Sequence, residues 1–233
     1  MVQQVDKVRQ DEWVTSEARL GRARFIAQGT DVNDVERTLG RISQAKDWCR
    51  EWSATGEMHE ELAKEAEKLG RTISAGEAYI MAALAYHWGK MRWKLVLEDE
   101  AQYHRAHQKS IETFWKGLQY LDPTAERVEI PFEGITMPAH LRKLKGVSQA
   151  PVILLLPGSD SVKEEFFLWS DVFLKRGMAI LAPDGPGQGE TRDIMPVRYD
   201  YEKAGSAMVD FLKQRNDVDA SAIGVTGVSM GGY

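Results

Sequence analysis

The pentapeptide Gly227-Val-Ser-Met-Gly231 is the segment of the sequence whose residue types and spacing best suit chemistry. It fits the pattern G-x-S-x-G and directly follows Ile223–Gly227, a run that predicts a buried strand. Glycines on both sides allow a sharp turn from strand to helix and leave the serine hydroxyl exposed. The pattern therefore predicts that Ser229 is a nucleophile. The alternative, an idle serine in a glycine-rich turn, is disfavoured by the preceding strand.

A second loop, Leu156-Pro-Gly-Ser-Asp-Ser161, follows another aliphatic run. In a fold with this turn, a backbone N–H of such a loop and that of the residue after the nucleophile stabilise an oxyanion. The donors predicted here are Met230 and Ser159, with Asp160 as the alternative to Ser159. A simple helix cap by Asp160 or Ser161 is compatible with this role, because a cap uses the side chain.

Two other groups of residues contain residue types that can bind a phosphate or a metal ion. The glycine-rich segment Asp184–Glu190 lacks the G-x-x-x-x-G-K-[ST] pattern of a phosphate loop, so we interpret it as a structural turn. His104 and His107 are spaced i, i+3 on one predicted helix, but no cysteine or carboxylate ligands accompany them. We therefore predict no metal site.

A base for Ser229 is not evident in the sequence. In this kind of fold the order of the triad is Ser, acid, His, but all five histidines precede Ser229: His59, His87, His104, His107 and His140. We expect the catalytic Asp and His to lie outside this chain. The chain would then be the N-terminal part of a longer protein and inactive, or nearly so, by itself.

The elements that position these residues fall into two regions, 1–124 and 125–233. The first has few glycines and prolines and predicts about five helices, with an interruption near Gly56; Pro123 ends the last of them. A helical cap over the second region is the favoured interpretation. A tetratricopeptide-type array is less favoured, because such arrays need at least three repeats.

The second region has an α/β pattern. Two alternating runs flank Glu133-Gly134 and predict a hairpin. Three short apolar runs then alternate with two helical segments, which predicts a parallel sheet with right-handed crossovers. The predicted strands are 152–156, 178–182 and 223–227, and the predicted helices are 164–176 and 201–214.

Composition excludes several classes of protein. The 233 residues are 43% hydrophobic and 28% charged, as in ordinary globular proteins, and the net charge of -5 argues against a nucleic-acid partner. A single cysteine, Cys49, rules out an internal disulfide. The longest aliphatic run, Val152–Leu156, is too short to span a membrane, and the polar N-terminus is not a secretory signal. We expect a cytoplasmic protein with no membrane partner.

Five stretches together resemble one family, the α/β-hydrolases that carry an N-terminal helical domain. This group includes 2,6-dihydroxypseudooxynicotine hydrolase, FrsA-like esterases and fungal polyketide-shortening hydrolases. The resemblance spans about residues 30–233 and rests on Ser74–Tyr79 with Tyr86–Lys90, Val128–Gly134, Pro157–Glu165, Asp184–Glu190 and Gly227–Gly231.

The resemblance implies an α/β-hydrolase fold: the N-terminal half of a mainly parallel sheet, preceded by an all-helical cap domain. It also implies a serine hydrolase that cleaves an ester or an acyl carbon–carbon bond through an acyl-serine, without a metal or organic cofactor. The nucleophile of the family corresponds to Ser229.

Other aspects of the function stay open. The aromatic residues Trp48, Trp52, Tyr79 and Tyr86 suit either an aromatic small-molecule substrate or a helical core. A homodimer is left open. The rival hypothesis is a non-catalytic interaction module, in which the helices recruit a partner and the α/β region is a degenerate scaffold.

Overall fold

The computed structural model describes residues 2–91 and 99–233, with side chains from residue 12 onward. The chain divides into two compact units, Met1–Pro123 and Thr124–Tyr233. In the described ranges no helix is both long enough and apolar enough to cross a membrane.

The first unit is helical in its described residues. Its α-helices are α1 (Val2–Ala27), α2 (Val32–Arg41), α3 (Trp48–Lys68), α4 (Thr72–Lys90) and α5 (Glu100–Leu121). Helix α4 packs against both α3 and α5, and for this reason it is apolar nearly all round.

Gly56 does not interrupt a helix, contrary to the sequence-based prediction, because α3 runs through it without a break. A methyl group at position 56 would lie 2.9 Å from the ring of Tyr86 on α4. The glycine therefore makes room for an aromatic ring of the neighbouring helix, a role that the sequence pattern does not distinguish from a helix stop.

The crossing of α4 and α5 depends on a second close approach. A methyl group at Gly117 would lie 2.8 Å from the Gly76 carbonyl oxygen and 3.0 Å from Ile80. Gly117→Ala should therefore destabilise the helical unit by about 1–3 kcal/mol, the usual cost of overpacking. Thermal unfolding followed by circular dichroism measures this effect.

The matched control is Gly40→Ala in α2, where nothing lies within 4 Å of the added methyl group. The same substitution should stabilise the protein here, by up to about 1 kcal/mol, because alanine is the better helix former. Equal shifts for the two variants would contradict the close approach at Gly117.

The second unit is built on a five-stranded sheet in the order β1-β2-β4-β3-β5. The strands are β1 (Glu126–Phe132), β2 (Ile135–Arg142), β3 (Ala150–Leu156), β4 (Ala179–Pro183) and β5 (Val218–Gly227). Strands β1 and β2 form the predicted antiparallel hairpin, with Glu133 and Gly134 at positive φ, and β3, β4 and β5 are parallel as predicted. The prediction that β5 is buried is wrong for the described residues, because β5 is the last strand of this sheet and Val225 is 58% exposed.

The core of this unit lies on both faces of β3 and β4. Helix α7 (Glu202–Lys213) buries Ala204, Met208 and Leu212 on one face. On the other face, the predicted helix 164–176 is instead a 3-10 turn (Lys163–Phe166) followed by the shorter helix α6 (Phe167–Leu174).

Parallel strands have their carboxyl ends at one edge of the sheet, and this determines where the candidate site lies. Strands β3, β4 and β5 end at Leu156, Pro183 and Gly227. The three loops that the sequence analysis singled out follow directly after these residues. The same edge of an open α/β sheet is where ligands generally bind.

Candidate active site

Ser229 lies in a tight turn at the carboxyl end of β5. Its φ of +52° is in the left-handed region, which is uncommon for a residue with a side chain. The turn is pressed against the end of β3, where the Val228 N–H donates to the Leu156 carbonyl over 3.1 Å. Ser229 itself is exposed. The local structure, a strand followed by the 3-10 turn Ser229–Gly232, therefore has the strand and turn of the predicted elbow.

The two glycines that flank the elbow have no room for a side chain. A methyl group at Gly227 would overlap the Gly231 carbonyl, and one at Gly231 would overlap the Leu156 carbonyl. Both neighbours are backbone atoms, which cannot move aside by rotation about a side-chain bond. The contact explains physically why the pattern has glycine at both positions.

Gly231→Ala is therefore expected to lower both stability and activity, since the elbow must move away from β3. The neighbouring Gly232→Ala is the matched control, because its methyl group would lie 3.3 Å from the closest atom, the Gly227 oxygen. We expect a loss of about 1–3 kcal/mol for the first variant and clearly less for the second. Urea unfolding of the two proteins tests this, and similar losses would contradict it.

The loop after β3 contacts the elbow. A methyl group at Gly158 would lie 3.4 Å from the Ser229 Cβ, so the backbone of this loop passes directly beside the serine. Ser159 follows and is exposed. Among the described residues, neither the Ser159 N–H nor the Met230 N–H donates a hydrogen bond. The oxyanion role of these two amides stays a prediction.

The loop after β4 begins at Asp184, a fully buried carboxylate. Its Oδ1 accepts from the Lys163 N–H over 3.0 Å, and its Oδ2 accepts from the Lys163 Nζ over 2.6 Å and from the Glu190 N–H over 3.1 Å. Asp184 thus joins its own loop to the segment that follows the loop after β3. The sequence analysis interpreted this glycine-rich loop as structural but did not identify Lys163.

Lys163 is the centre of a buried ion cluster. Its Nζ lies 2.6–2.7 Å from carboxylate oxygens of Asp184, Glu164 and Glu190. The three carboxylates bring oxygens within 4.8 Å of one another, a spacing that suits a metal ion. The Lys163 ammonium occupies the point on which they converge.

The opposite charges in this cluster stabilise one another. Burial alone lowers the pKa of Lys163, but the negative charges of Asp184 and its neighbours outweigh burial and raise it overall. Burial raises the pKa of Glu190, but hydrogen bonds from Arg127 and the charge of Lys163 bring it down to about 2. Arg127 reaches Glu190 with two hydrogen bonds of 2.7 and 2.8 Å. Lys163 and Glu190 are therefore both ionised near neutral pH.

His140 lies on β2, which is separated from β5 by two strands. Burial, and then the positive charge of Lys163, hold its pKa well below the ordinary 6.5. The imidazole is therefore neutral and belongs to the interior of the sheet. That His140 is not the base for Ser229 stays a prediction.

The other four histidines are in the helical unit. His59 Nε2 lies 2.7 Å from Asp34, His104 Nε2 lies 3.6 Å from Glu100, and Lys90 donates to His107 Nδ1 over 2.9 Å. His87 is buried on α4. The structure thus gives His104 and His107 different partners.

The aromatic residues that suit either a substrate or a core belong to the core of the helical unit. Trp48 and Trp52 pack around Phe25, and the Trp48 Nε1 donates to the Trp88 carbonyl over 2.9 Å. The buried hydroxyls of the two tyrosines donate to carboxylates, Tyr79 to Glu67 and Tyr86 to Glu60.

Comparison with known proteins gives this arrangement a family. The sequence pattern of the esterase FrsA-like family matches residues 30–233. The chain is 34% identical over 213 residues to 2,6-dihydropseudooxynicotine hydrolase of Paenarthrobacter nicotinovorans, which covers 91% of this chain and 56% of that protein. It is 31% identical over 223 residues to 20-hydroxy-prefusarin hydrolase of Gibberella moniliformis, and this alignment covers 88% of this chain and 52% of that protein.

Solved structures show the same fold. The crystal structure of 2,6-dihydroxy-pseudo-oxynicotine hydrolase matches with a TM-score of 0.77 and 33% identity, over 89% of this chain and 57% of that one. Wild-type AbyA5 matches with a TM-score of 0.63 at 22% identity, over 94% of this chain and 56% of that one. At this identity the match supports the fold alone. The chain spans about half the length of the curated relatives it matches. The chain has the α/β-hydrolase fold with a helical N-terminal part, and it belongs to the esterase FrsA-like family.

Proposed function

We propose that the protein carrying this chain is a serine hydrolase that cleaves an ester or an acyl carbon–carbon bond of a small molecule. Ser229 is the nucleophile, and the reaction passes through an acyl-Ser229 intermediate. The relatives named above support the hydrolase class: one is named for a pseudooxynicotine substrate and another for a prefusarin substrate.

The observation that carries the proposal is the backbone of Ser229. A non-glycine residue at φ +52° costs about 1–3 kcal/mol and persists only where its surroundings impose it. Here the surroundings are the end of β3 and the glycines of the elbow. The result is an exposed hydroxyl beside the loop after β3, where the Ser159 N–H donates to no group in the part of the chain that the structure describes. This strain favours an active nucleophile over the rival interpretation of a degenerate scaffold.

The proposed reaction has two halves. A histidine base, supplied with its acid from outside these 233 residues, takes the proton of the Ser229 hydroxyl while Oγ attacks the acyl carbon. The N–H groups of Ser159 and Met230 stabilise the oxyanion, and the protonated base then gives its proton to the leaving group. In the second half water attacks the acyl-serine in the same way and releases the acid.

The leaving group decides between the two reactions. An ester releases an alkoxide that the base protonates on oxygen. A carbon–carbon bond releases a carbanion that the base protonates on carbon, and this requires a leaving group that stabilises the negative charge. The elbow and its donors serve both cases equally.

A fluorophosphonate probe tests the proposal, because it reacts covalently with an activated serine and not with an ordinary one. We expect the probe to label the enzyme that contains this chain at Ser229, and Ser229→Ala to remove the label. Ser221→Ala is the matched control, since Ser221 is an exposed serine on β5, the strand that precedes the elbow, and should not affect labelling. Absence of labelling in the parent protein, or labelling that survives Ser229→Ala, would contradict the proposal.

A further inference from the structure

Gln188, in the loop after β4, connects this loop to the predicted oxyanion loop. Its Nε2 donates two hydrogen bonds, to the Pro157 carbonyl over 3.0 Å and to the Gly158 carbonyl over 2.6 Å. These carbonyls belong to the two peptide groups that immediately precede Ser159. The sequence analysis gave Gln188 no role beyond that of the glycine-rich turn.

The other end of the same amide is held equally firmly. Its Oε1 accepts from the Gly185 N–H over 2.9 Å and from the Tyr201 hydroxyl over 2.7 Å. Both N–H donors and both lone pairs of the amide are therefore used, and the side chain is completely buried. A fully bonded, buried amide has a single orientation, so the positions of its donors are fixed.

The bond to Gly158 has a geometric consequence for Ser159. The Gly158 carbonyl and the Ser159 N–H belong to one planar peptide group, and no peptide bond in the described residues is cis. In a trans peptide the carbonyl and the N–H point in opposite directions. The Gly158 carbonyl accepts from Gln188 and also from the Ser161 N–H over 3.2 Å, which closes the turn of this loop. Because the shorter of the two bonds holds the carbonyl on the buried side, the Ser159 N–H must point away from Gln188.

The position of Ser229 completes the argument. Gly158 lies next to the serine, and the Ser159 N–H donates to no other group among the described residues. We propose that Gln188 is a positioning residue of the oxyanion hole: its side-chain amide holds the Gly158 carbonyl and thereby orients the Ser159 N–H for the oxyanion. This inference rests on the proposed function, since it needs an oxyanion at Ser229.

The chemistry of the contact requires an amide. Gln188→Glu has the same shape and keeps an acceptor for Gly185 and Tyr201, but it replaces the donor with an oxygen that faces two carbonyl oxygens. Ionised, this oxygen repels both carbonyls and turns the peptide group. Protonated, it donates one hydrogen bond and restores part of the contact. The variant therefore separates the loss of the donor from the loss of the side chain.

The experiment compares the parent enzyme with Gln188→Glu, using an activated ester as substrate and an alkylboronic acid as a tetrahedral analogue. Removing one oxyanion donor costs about 10²–10³ in rate, and a misdirected donor should cost about ten- to a hundredfold in kcat. We expect the affinity for the boronic acid to fall by a similar factor while KM for the ester stays the same. The ratio of variant to parent kcat should rise as the pH falls, because the carboxyl takes up a proton.

Thr191→Val is the matched control. Thr191 is equally buried in the same loop and bonds to Gly185 and to the Gln188 backbone, but not to Pro157 or Gly158. The variant Thr191→Val should lower the stability of the protein. We expect KM for the ester and the dissociation constant of the boronic acid to change by the same factor in this variant. If Thr191→Val lowers kcat and boronic-acid affinity as much as Gln188→Glu does, Gln188 has only a structural role and the inference is wrong.

A crystal structure of Gln188→Glu separates this inference from the proposed function. A rotated Gly158–Ser159 peptide supports the inference, and an unchanged one overturns it, whatever the activity of the variant. A parent enzyme that is neither labelled at Ser229 nor active on esters overturns the proposed function, and with it any role of Gln188 in an oxyanion hole.

Discussion

Replacing Ser229 by alanine is expected to lower kcat by about a millionfold, the loss seen when the nucleophile of a serine triad is removed. In the proposed mechanism the hydroxyl oxygen bonds to the acyl carbon, and no neighbouring side chain in the elbow can replace it. Steady-state kinetics with an activated ester, on the enzyme that contains this chain, measures the effect. Retention of more than about a tenth of kcat, with contamination excluded, would show that Ser229 is not the nucleophile.

The fold should tolerate the same change. Ser229 is exposed, and its side chain makes no hydrogen bond with the described residues, so stability should shift by less than about 0.5 kcal/mol. Substrate binding should also persist, because the two backbone donors remain. Urea unfolding and a binding measurement on Ser229→Ala test both points. A large loss of stability would mean that the kinetic effect reflects misfolding.

Replacing Lys163 by methionine should have the largest effect on folding, since the change leaves three carboxylates without the ammonium on which they converge. Breaking a buried ion pair by removing one partner typically costs about 3–5 kcal/mol. We expect a loss of this size in urea unfolding at neutral pH. Methionine is an unbranched side chain only one heavy atom shorter than lysine, so lost packing contributes little.

Lys143→Met is the control for this prediction. Lys143 also bridges two carboxylates, those of Glu126 and Asp217, but its side chain is 21% exposed, whereas that of Lys163 is fully buried. We expect a loss of about 1 kcal/mol or less, as for ion pairs open to solvent. Equal losses for the two lysines would contradict the argument from burial.

The pH dependence gives a second test. In the parent protein the pKa of Glu190 is about 2, below its ordinary 4.5, so its contribution to stability is complete above 4.5 and is lost as the pH falls towards 2. In Lys163→Met the pKa of Glu190 rises, because one of its two cationic partners is gone. The difference in stability between the two proteins should therefore be largest above pH 4.5 and shrink as the pH falls.

The sequence predicts the α/β unit well because its strands have local signals. Alternation of apolar and polar residues identifies β1 and β2, and short apolar runs identify the parallel strands. Glu133-Gly134 between the first two runs indicates a tight hairpin, and both residues have positive φ in the structure. The nucleophile pattern adds a turn of defined shape. These signals depend on neighbouring residues only, so one sequence is enough to read them.

The features that the sequence does not predict arise from contacts between distant residues. Gly56 is within a helix because a ring 30 positions later packs against it. Lysines are rarely buried, so nothing in the sequence distinguishes Lys163 from a surface residue until its three carboxylates converge. The role of Gln188 is not evident in the sequence either, because its partners at residues 157 and 158 belong to another loop.

The hydrogen bonds of the glycine-rich loop after β4 also affect how easily this loop unfolds locally. Loops of this composition normally exchange their amide hydrogens quickly, because they open locally at little cost. Here the Asp184 N–H donates to the Pro138 carbonyl and the Thr191 N–H to the Gln188 carbonyl. The side chains of Asp184, Gln188 and Thr191 in this loop are all buried. Its amides should therefore exchange as slowly as those of the central strands. Proteases that cut glycine-rich loops would then gain access to this one only when the whole α/β unit unfolds.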